Sequence, residues 1–587
     1  MKCAALIVLA GCIEIPPVPG QECTSNSDCN AGEVCDEGVC WGNPPVGSWA
    51  TTISPPAVRE DLVSSEIPML DLPSDGWLGD ITLEAPVTIS GRIEAACTAS
   101  QTTCPSTSIG AEVRFTRPSR FPGGPAVRLS AQSKPGLPRG TDSFTIRVPR
   151  TLPGDAPYKV TIDPDGGAAL PPAHGGKDPA ELVPPRRLIM FATDDIEHQT
   201  YLVGSTAPQT ISGVLKDPLG SYLTKYRVVA RGRWDEQTSP TEISTVCFST
   251  DGTYSITLAE GVLGPIELVA KPYDDTTVAP ELHVSNIDPY GPQVRNVAQP
   301  TGLGARVDLA IKVEGLDPRD GSVKPVSGAR VKIIGSTENN VTSGITAVMA
   351  DEGVTGDDGI ARLSVLDGAT LASAYRMHIV PPADSSFGVV YGATVQLPSP
   401  PVVRLPQRIA ITGTVVDVHG DPLPDVSITA RRSLRFLWSL QSNEQSFLNE
   451  IPAATATTPD SGEFRVWVDP AVASAWGHYD LFFETPEGSR APNWAIPDYE
   501  IPRDPTLTTI SLGTVTIPDA AYLHGKIVDG NGNLVEGSLM RVFQLSTNET
   551  VCREVLNAPE ECAGDAKALG HGESDENGIV RFSLPRP

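Results

Sequence analysis

A short pattern of alternating apolar residues around a glycine recurs along this 587-residue chain. The glycines are at positions 91, 213, 413 and 525, and a degenerate copy is centred on residue 311. Spacings of about 100–120 residues fit one small domain per copy, because the coils of a solenoid repeat every 20–50 residues. The copies are Val87–Ile93, Ile211–Asp217, Leu309–Val313, Ile411–Asp417 and Leu523–Asp529.

Each copy continues with further strand-like segments in the same order. A turn and a second alternating segment follow, as in Val426–Ala430, and then a turn with a third segment, as in Asp460–Phe464. A closing segment such as Tyr479–Phe483 completes four of the five copies. Alternation with a period of two predicts half-buried strands, and two such sheets must face each other to bury their apolar sides. The 56 prolines argue against long helices. We therefore predict an all-β fold.

The order of these segments resembles the carboxypeptidase regulatory-like domain, a seven-stranded transthyretin-like sandwich. The resemblance is closest over residues 409–486, good around 211–272 and 523–584, and weaker near 87–164 and 307–382. It implies a tandem array of about five transthyretin-like or Ig-like β-sandwiches. In that family the module is usually non-catalytic and serves as a spacer, a stabilising appendage or a binding platform.

The repeat predicts a division of the chain into an N-terminal part and five sandwiches. The last copy lacks a closing segment, so we expect either an incomplete sandwich with an exposed edge that recruits a partner or merely a shorter sandwich. The predicted parts are a leader at 1–11, a tether at 12–22, a Cys-rich segment at 23–41, a linker at 42–84, and sandwiches at 85–185, 200–300, 301–400, 405–505 and 512–587.

The N-terminus resembles the signal peptide of a bacterial lipoprotein. Leu9–Cys12 looks like a lipobox, and the apolar run before it is too short to span a bilayer. The resemblance implies acylation of Cys12 and anchoring to a membrane. Residue 13 is Ile, not the Asp that retains many such proteins at the inner membrane, which favours the outer membrane. The alternatives are a chance match or a start codon placed too late.

The cysteines fall into groups with even counts. Cys23, Cys29, Cys35 and Cys40 lie in a segment too small to build a core, so we expect two disulfides, with three connectivities open. A zinc site is the alternative. This segment resembles the Cys-rich stretches of myxobacterial surface lipoproteins. Two further disulfide pairs are predicted in an oxidising compartment, Cys97 with Cys104 and Cys552 with Cys562.

Charge and motifs exclude several classes of function. A formal net charge of −27 repels nucleic acid, so no nucleic-acid partner is expected. The eight histidines are scattered, and the sequence contains no zinc-protease, nucleophile-elbow or P-loop motif. Asp529–Asn533 begins like an EF-hand loop but has Leu534 in place of the required glycine, so we interpret it as a hairpin turn. We expect no enzyme activity, no cofactor and no metal.

A group of tryptophans offers a candidate ligand-binding surface. Trp438, Trp467 and Trp476 lie in the fourth sandwich, and Trp467 occupies a position that is Thr or Ser in three other copies. Exposed tryptophan stacks on sugar rings or anchors partners. The alternative is that the insertion at 433–450 covers Trp467. In the first case the residues form a contact surface on sandwich 4, and in the second Trp467 is buried in a satellite cluster under the insertion.

These observations favour a membrane-anchored lipoprotein, exposed to the periplasm or at the cell surface, that acts as a stalk, scaffold or adhesin. Five domains in a row would reach roughly 150 Å from the membrane. One alternative is a carbohydrate- or peptide-binding lipoprotein with its site on sandwich 4, which implies a glycan or protein partner at the cell surface. Another is an accessory subunit of a secretion or motility assembly that docks through the edge of the last copy.

Overall fold

The computed structural model of the protein describes residues 22–36, 38–96, 107–164, 179–204, 209–235, 240–273, 279–317, 321–337, 345–367, 375–397, 402–486, 489–504, 506–546 and 565–586. The described chain is almost entirely β-structure and forms tandem β-sandwiches after a small disulfide-bonded segment. This confirms the predicted fold class.

The N-terminal segment and the first two sandwiches contain strands β1 to β21. A 3-10 helix spans Asn26–Asp28, and helix α1 spans Pro179–Leu182. The N-terminal strands are β1 Glu33–Asp36, β2 Val39–Gly42, β3 Ser48–Ser54, β4 Ser65–Ile67 and β5 Trp77–Thr82. Sandwich 1 has β6 Val87–Ala95, β7 Ala111–Arg117, β8 Val127–Ser133, β9 Phe144–Val148, β10 Tyr158–Asp163, β11 Arg186–Met190 and β12 Ile196–Val203. Sandwich 2 has β13 Thr210–Lys216, β14 Tyr226–Arg233, β15 Thr241–Glu242, β16 Cys247–Ser249, β17 Thr253–Thr257, β18 Leu263–Pro272, β19 Glu281–Ile287, β20 Gln293–Val294 and β21 Val297–Ala298.

The remaining sandwiches contain strands β22 to β42. Sandwich 3 has β22 Arg306–Leu316, β23 Val323–Pro325, β24 Arg330–Ser336, β25 Ile345–Val354, β26 Ile360–Leu366, β27 Arg376–Val380, β28 Val390–Thr394 and β29 Val403–Arg404. Sandwich 4 has β30 Ile409–Val416, β31 Ser427–Arg432, α2 Leu434–Trp438, α3 Ser442–Asn449, β32 Ala454–Thr457, β33 Glu463–Val468, β34 Ala471–Val472, β35 Ala475–Trp476, β36 His478–Glu484, β37 Trp494–Glu500 and β38 Thr509–Thr516. The C-terminal strands are β39 Ala520–Val528, β40 Leu539–Ser546, β41 Asp565–Glu573 and β42 Ile579–Pro585.

Sandwich 4 shows the common architecture of the repeat. Its three-stranded sheet has the order β33-β30-β38, and its four-stranded sheet has the order β32-β31-β36-β37. The first strand, β30, lies between the fourth strand, β33, and the seventh, β38, which runs parallel to it. Inward residues of both sheets form one core, which includes Ile411, Ile428 and Phe483, all fully buried. The alternating pattern of the sequence is thus the alternation of core and surface.

The repeated glycine is explained by the path of the seventh strand. At Gly91, a Cβ atom would lie 2.2 Å from the carbonyl oxygen of Gln199. At Gly213 the equivalent distance, to the carbonyl oxygen of Arg295, is 1.9 Å. Only glycine allows the backbone of the seventh strand to approach so closely. The glycine of the motif is therefore explained by the close approach of the parallel neighbouring strand.

Sandwich 1 extends beyond its predicted end at residue 185. Strands β11 and β12 add to its two sheets, β11 beside β10 and β12 parallel to β6. The proline-rich stretch around residue 184 therefore lies inside the domain, between α1 and β11. Since the closing strands follow a loop of low sequence similarity between copies, the repeat alone underestimated the length of the domain.

The predicted linker at 42–84 is wrong, because its strands belong to the last sandwich. Strand β3 pairs with β40, β4 pairs with β3, and β5 runs parallel to β39. They occupy the places that the fifth, sixth and seventh strands occupy in the other sandwiches. Sandwich 5 is therefore not incomplete: its first four strands come from the C-terminal part of the chain and its last three from the N-terminal part.

The five sandwiches form a closed circuit of contacts, which we call the ring. Sandwich 1 contacts sandwich 2 through Lys159 and Asp235, 3.0 Å apart, and sandwiches 2 and 3 share one nine-stranded sheet. Sandwiches 3 and 4 meet where Tyr391 packs against Phe447. Because sandwich 5 contacts both sandwich 4 and sandwich 1, the predicted extended row is wrong for this structure.

Candidate functional site at the closure of the ring

The N-terminal strands are held in sandwich 5 by a full ladder and by buried side chains. Thr51 lies opposite Val542, and the Thr51 hydroxyl donates to the carbonyl oxygen of Arg541 at 2.8 Å. Trp49 and Ile53 point into the core of sandwich 5 and are almost completely buried. On the other sheet, Ile81 is buried in the same core. Residues separated by about 490 positions thus form one hydrophobic unit.

The Cys-rich segment, residues 22–42, docks on the same sandwich. Its disulfides join Cys23 to Cys35 and Cys29 to Cys40, which selects one of the three connectivities. All four sulfur atoms are bonded, so none is left as a zinc thiolate. The Arg586 guanidinium, at the end of sandwich 5, donates to the Glu33 carboxylate of this segment at 2.5 Å.

An aromatic group fixes this docking. Trp41 stacks on His524 with ring centroids 4.1 Å apart, and Trp77 meets the same imidazole edge-on at 4.9 Å. Trp41 is 1% exposed, whereas Trp77 is 38% exposed. The three rings line a pocket of about 450 Å³, to which Asp36 and Asp75 also contribute. The buried ring therefore has a structural role, and the exposed one is available to a ligand.

A cluster of buried charges links sandwich 5 to sandwich 1. The Arg117 guanidinium lies 3.0 Å from the Glu66 carboxylate and 2.9 Å from that of Asp155, and Arg117 is almost fully buried. Arg120 pairs with Asp155 at 3.1 Å and with Glu84 at 2.9 Å. Burial disfavours the charge on Arg120, but these carboxylates outweigh it and raise the pKa of the guanidinium. The ions are paired as buried charges must be.

An apolar contact lies beside this cluster. Phe121 of sandwich 1 packs on Phe543 of sandwich 5 with ring centroids 5.4 Å apart. Ala50, on β3, completes this small buried group. The interface that closes the ring therefore combines paired charges with a dry aromatic contact, and both involve the N-terminal strands.

Next to these contacts the two sandwiches leave an open cleft, which we call the closure groove. Its volume is about 860 Å³. Strands β3, β4, β8, β9 and β40 all contribute to its walls. The lining includes four arginines, Arg59, Arg128, Arg147 and Arg541. The lining also includes Glu60 and Glu66, so four guanidinium groups face two carboxylates here, in a chain of net charge −27.

The structure separates the three tryptophans predicted as a ligand surface. Trp467 lies half-buried on β33, opposite Ala410, with the Arg465 guanidinium 6.0 Å from its ring. Trp476, also half-buried, donates its indole N–H to the carbonyl oxygen of Ile501. The side chain of Trp438 lies outside the described residues. Among the ring contacts of the described chain, none joins Trp467 to Trp476. Their role in ligand binding stays a prediction.

The insertion at 433–450 packs on the core of sandwich 4 and on sandwich 3. Phe436 and Leu448 are buried in the core of sandwich 4. Phe447 reaches sandwich 3, where it packs on Tyr391 at 5.1 Å and on His378 at 5.2 Å. The insertion therefore contributes to the contact between sandwiches 3 and 4.

Several predicted modification sites fall outside the described residues. These are the lipidation site Cys12 and the predicted disulfide partners Cys97, Cys104, Cys552 and Cys562. Cys247 is described and is a half-buried free thiol. Within the part of the chain that the structure describes, no helix is long and apolar enough to cross a membrane.

The sequence interpretation missed the ring-closing residues. Trp49–Ile53 alternates like the closing segments of the other copies, each of which begins with an aromatic or branched residue. This alternation is visible in the sequence, but the segment lies near the N-terminus, whereas the copy that it completes, sandwich 5, lies at the C-terminal end of the chain. The arginines of the closure groove carry no motif, because they come from three separate regions of the sequence.

No known protein family matches this chain, and no characterised protein matches it in sequence. Similar solved structures include the shaft pilin spaA of Lactobacillus rhamnosus GG, at 12% identity over 36% of this chain and 97% of that chain, with a TM-score of 0.19. The minor pilin GBS52 of Streptococcus agalactiae has 16% identity over 36% and 96%, with a TM-score of 0.19. The Bacillus anthracis TIE protein has 11% identity over 73% of both chains, with a TM-score of 0.14. Resemblances at these TM-scores carry no inference about function.

Proposed function

We propose that this protein is a non-enzymatic surface scaffold, held at the outer membrane by acylated Cys12, that presents a rigid ring of β-sandwiches to other molecules. The observation that carries the proposal is the completion of sandwich 5 by β3, β4 and β5. This exchange joins the two ends of the array. A chain folded in this way holds its five domains in fixed relative positions instead of extending them as a flexible row.

The contacts between domains support a rigid platform. A continuous sheet joins sandwiches 2 and 3. Where sandwich 3 meets sandwich 4, the buried Asp469 carboxylate of sandwich 4 pairs with Arg408 at 3.3 Å and accepts a bond from the Val389 N–H of sandwich 3 at 3.0 Å. The Tyr522 hydroxyl of sandwich 5 donates to the carbonyl oxygen of Arg490 in sandwich 4 at 2.7 Å. Buried polar groups thus connect sandwich 4 to both of its neighbours.

The proposed anchor also orients the ring. Nine residues separate Cys12 from Glu22, where the described chain begins, and the ten residue steps between them span at most about 35 Å. The Cys-rich segment and sandwich 5 would then lie nearest the bilayer, with sandwiches 2 and 3 on the far side. In this arrangement the domains stay closer to the membrane than they would in an extended row.

A fractionation experiment tests the anchor and the location together. The wild-type protein should be found in the outer-membrane fraction and incorporate labelled palmitate. Cys12→Ser should abolish both, whereas Cys247→Ser, which removes the free thiol of sandwich 2, should change neither. Recovery of unlabelled wild-type protein from the cytosol, with processing insensitive to globomycin, would contradict the proposal.

Carbohydrate binding is a second candidate function, favoured by the exposed Trp77. An aromatic face beside two carboxylates, here those of Asp36 and Asp75, is an arrangement that stacks on a sugar ring and accepts bonds from its hydroxyls. If a glycan array shows binding, Trp77→Ala should abolish it, and Trp467→Ser tests the surface predicted on sandwich 4. Binding that survives both substitutions excludes both surfaces.

A further inference from the structure

The closure groove is bounded by the edge strands of two β-sheets. Strand β4 ends the four-stranded sheet of sandwich 5, and β8 ends the four-stranded sheet of sandwich 1. Both contribute to the lining, β4 with Ser65 and Glu66 and β8 with residues 127–130. Within the described chain, no other strand pairs with the outer edge of either. On β4, however, Ser65 and Glu66 are buried and the Glu66 carbonyl oxygen accepts a bond from the Arg120 guanidinium at 3.4 Å, so the open edge is that of β8. Unpaired strand edges are templates for another strand.

The same two edges meet directly elsewhere in the ring. In repeat order β4 is the sixth strand of sandwich 5 and β8 is the third strand of sandwich 1. The corresponding strands of sandwiches 2 and 3 are β19 and β25, and they pair as antiparallel neighbours in the nine-stranded sheet, with Leu282 opposite Ala347. At the closure groove the equivalent edges stand apart, with about 860 Å³ of open space beside them.

The charges of the groove define what fits there. Arg59 pairs with Asp61 and Arg147 pairs with Glu60. The other two lining arginines, Arg128 and Arg541, are exposed and have no carboxylate partner among the described residues. Since the whole chain is strongly acidic, an acidic ligand would be attracted to this groove and repelled by most of the remaining surface.

We propose that the closure groove binds an extended acidic peptide, which adds as a strand to the outer edge of β8. Backbone pairing with the outer edge of β8 would supply affinity, and acidic side chains on alternate positions would meet Arg128 and Arg541. Strand β8 spans seven residues, so the matching peptide segment is about 23 Å long. This inference goes beyond the scaffold role because it names the class of partner, and it does not depend on the lipid anchor.

A binding assay on the detergent-solubilised full-length protein tests the charge requirement. The probe is a fluorescein-labelled eight-residue peptide in which glutamate alternates with valine, followed by fluorescence anisotropy. We expect saturable binding that weakens as salt rises. Arg128→Glu and Arg541→Glu should each lower the affinity at least tenfold. The matched control Arg376→Glu, at an exposed arginine of sandwich 3, should leave it unchanged.

A second pair of measurements tests strand addition itself. The same peptide with N-methyl groups on alternate residues keeps its charge but cannot form a ladder, so it should fail to bind. Hydrogen exchange of residues 127–133 should slow when the unmodified peptide binds. Unchanged thermal unfolding of the two arginine variants would show that the ring stays intact.

Three outcomes would overturn the proposal. They are the absence of saturable peptide binding to the wild type, equal binding of the N-methylated peptide, and preferential, Arg128-dependent binding of polygalacturonate in place of the peptide. The last would assign the groove to an acidic polysaccharide. None of them bears on membrane fractionation, so the scaffold proposal would be judged separately.

Discussion

At the scale of single residues, the closure of the ring depends most on Arg117. Its guanidinium compensates two carboxylates, those of Glu66 and Asp155, and also lies 5.2 Å above the ring of Tyr158. Arg117→Met would leave both carboxylates partly uncompensated in a buried site, at a cost of about 3 kcal/mol in the free energy of unfolding. Urea denaturation of purified protein measures this loss.

A surface ion pair provides the comparison for Arg117. Arg306 and Asp308 are paired at 2.8 Å, but both side chains are more than half exposed. Arg306→Met should therefore shift the unfolding midpoint little, since exposed pairs contribute about 0–1 kcal/mol. Equal effects of the two substitutions would show that the buried cluster contributes nothing beyond an ordinary salt bridge.

His283 makes the junction of sandwiches 2 and 3 sensitive to alkaline pH. Its Nδ1 atom lies 3.0 Å from the Glu267 carboxylate and its Nε2 atom 3.4 Å from that of Glu281. Burial alone would lower the pKa of His283, but the two carboxylates outweigh burial and raise it to about 9. The usual value in an unfolded chain is about 6.5.

The sign of the pH dependence follows from the raised pKa. Protonated His283 stabilises the fold fully below pH ~6.5, and this contribution is lost as the pH rises to about 9. We expect a loss of about 1–2 kcal/mol between pH 6.5 and 9.5 from this residue, discounted for partial exposure. Calorimetry should show that the difference in melting temperature between wild type and His283→Gln shrinks over this range. A constant difference would contradict the assignment.

At the scale of strands, the sequence predicted the repeat but not how the last copy is completed. The motif around Gly413 and the turn before Phe464 identified the first, second and fourth strands of the copies, and the closing segment identified the fifth strand in four of them, because these depend on local alternation and tight turns. The partners of β39 and β40 could not be found in this way, since β3 and β5 lie more than 400 residues from them along the chain. Strand pairing over such a distance leaves no periodic signal.

The exchange of strands predicts that a cut chain stays together. A protease site inserted between Ala85 and Pro86 separates the N-terminal strands from sandwich 1 covalently. Because β3 and β5 remain paired in sandwich 5, the N-terminal fragment should co-elute with the rest of the chain on size-exclusion chromatography after cleavage. A fragment that dissociates at once would contradict the strand exchange.

A matched pair of variants sharpens this cleavage experiment. Ile53→Glu with Ile81→Glu places two charges in the core of sandwich 5, where both side chains are buried, and should release the cleaved fragment. The control Val58→Glu changes a valine that is 85% exposed, and the fragment should stay bound.

At the scale of the whole molecule, the closed ring predicts a compact particle. Domains of about 100 residues span roughly 35 Å, so five in an open row would measure on the order of 150 Å, whereas five in a ring measure about 90 Å. Small-angle X-ray scattering of the wild type should therefore give a maximum dimension near the lower value. The Ile53→Glu and Ile81→Glu double variant should give a larger one, because sandwich 5 then loses the strands that connect it to sandwich 1. A wild-type dimension near 150 Å, unchanged by the double variant, would mean that the domains extend as a stalk and that the N-terminal strands do not close the array.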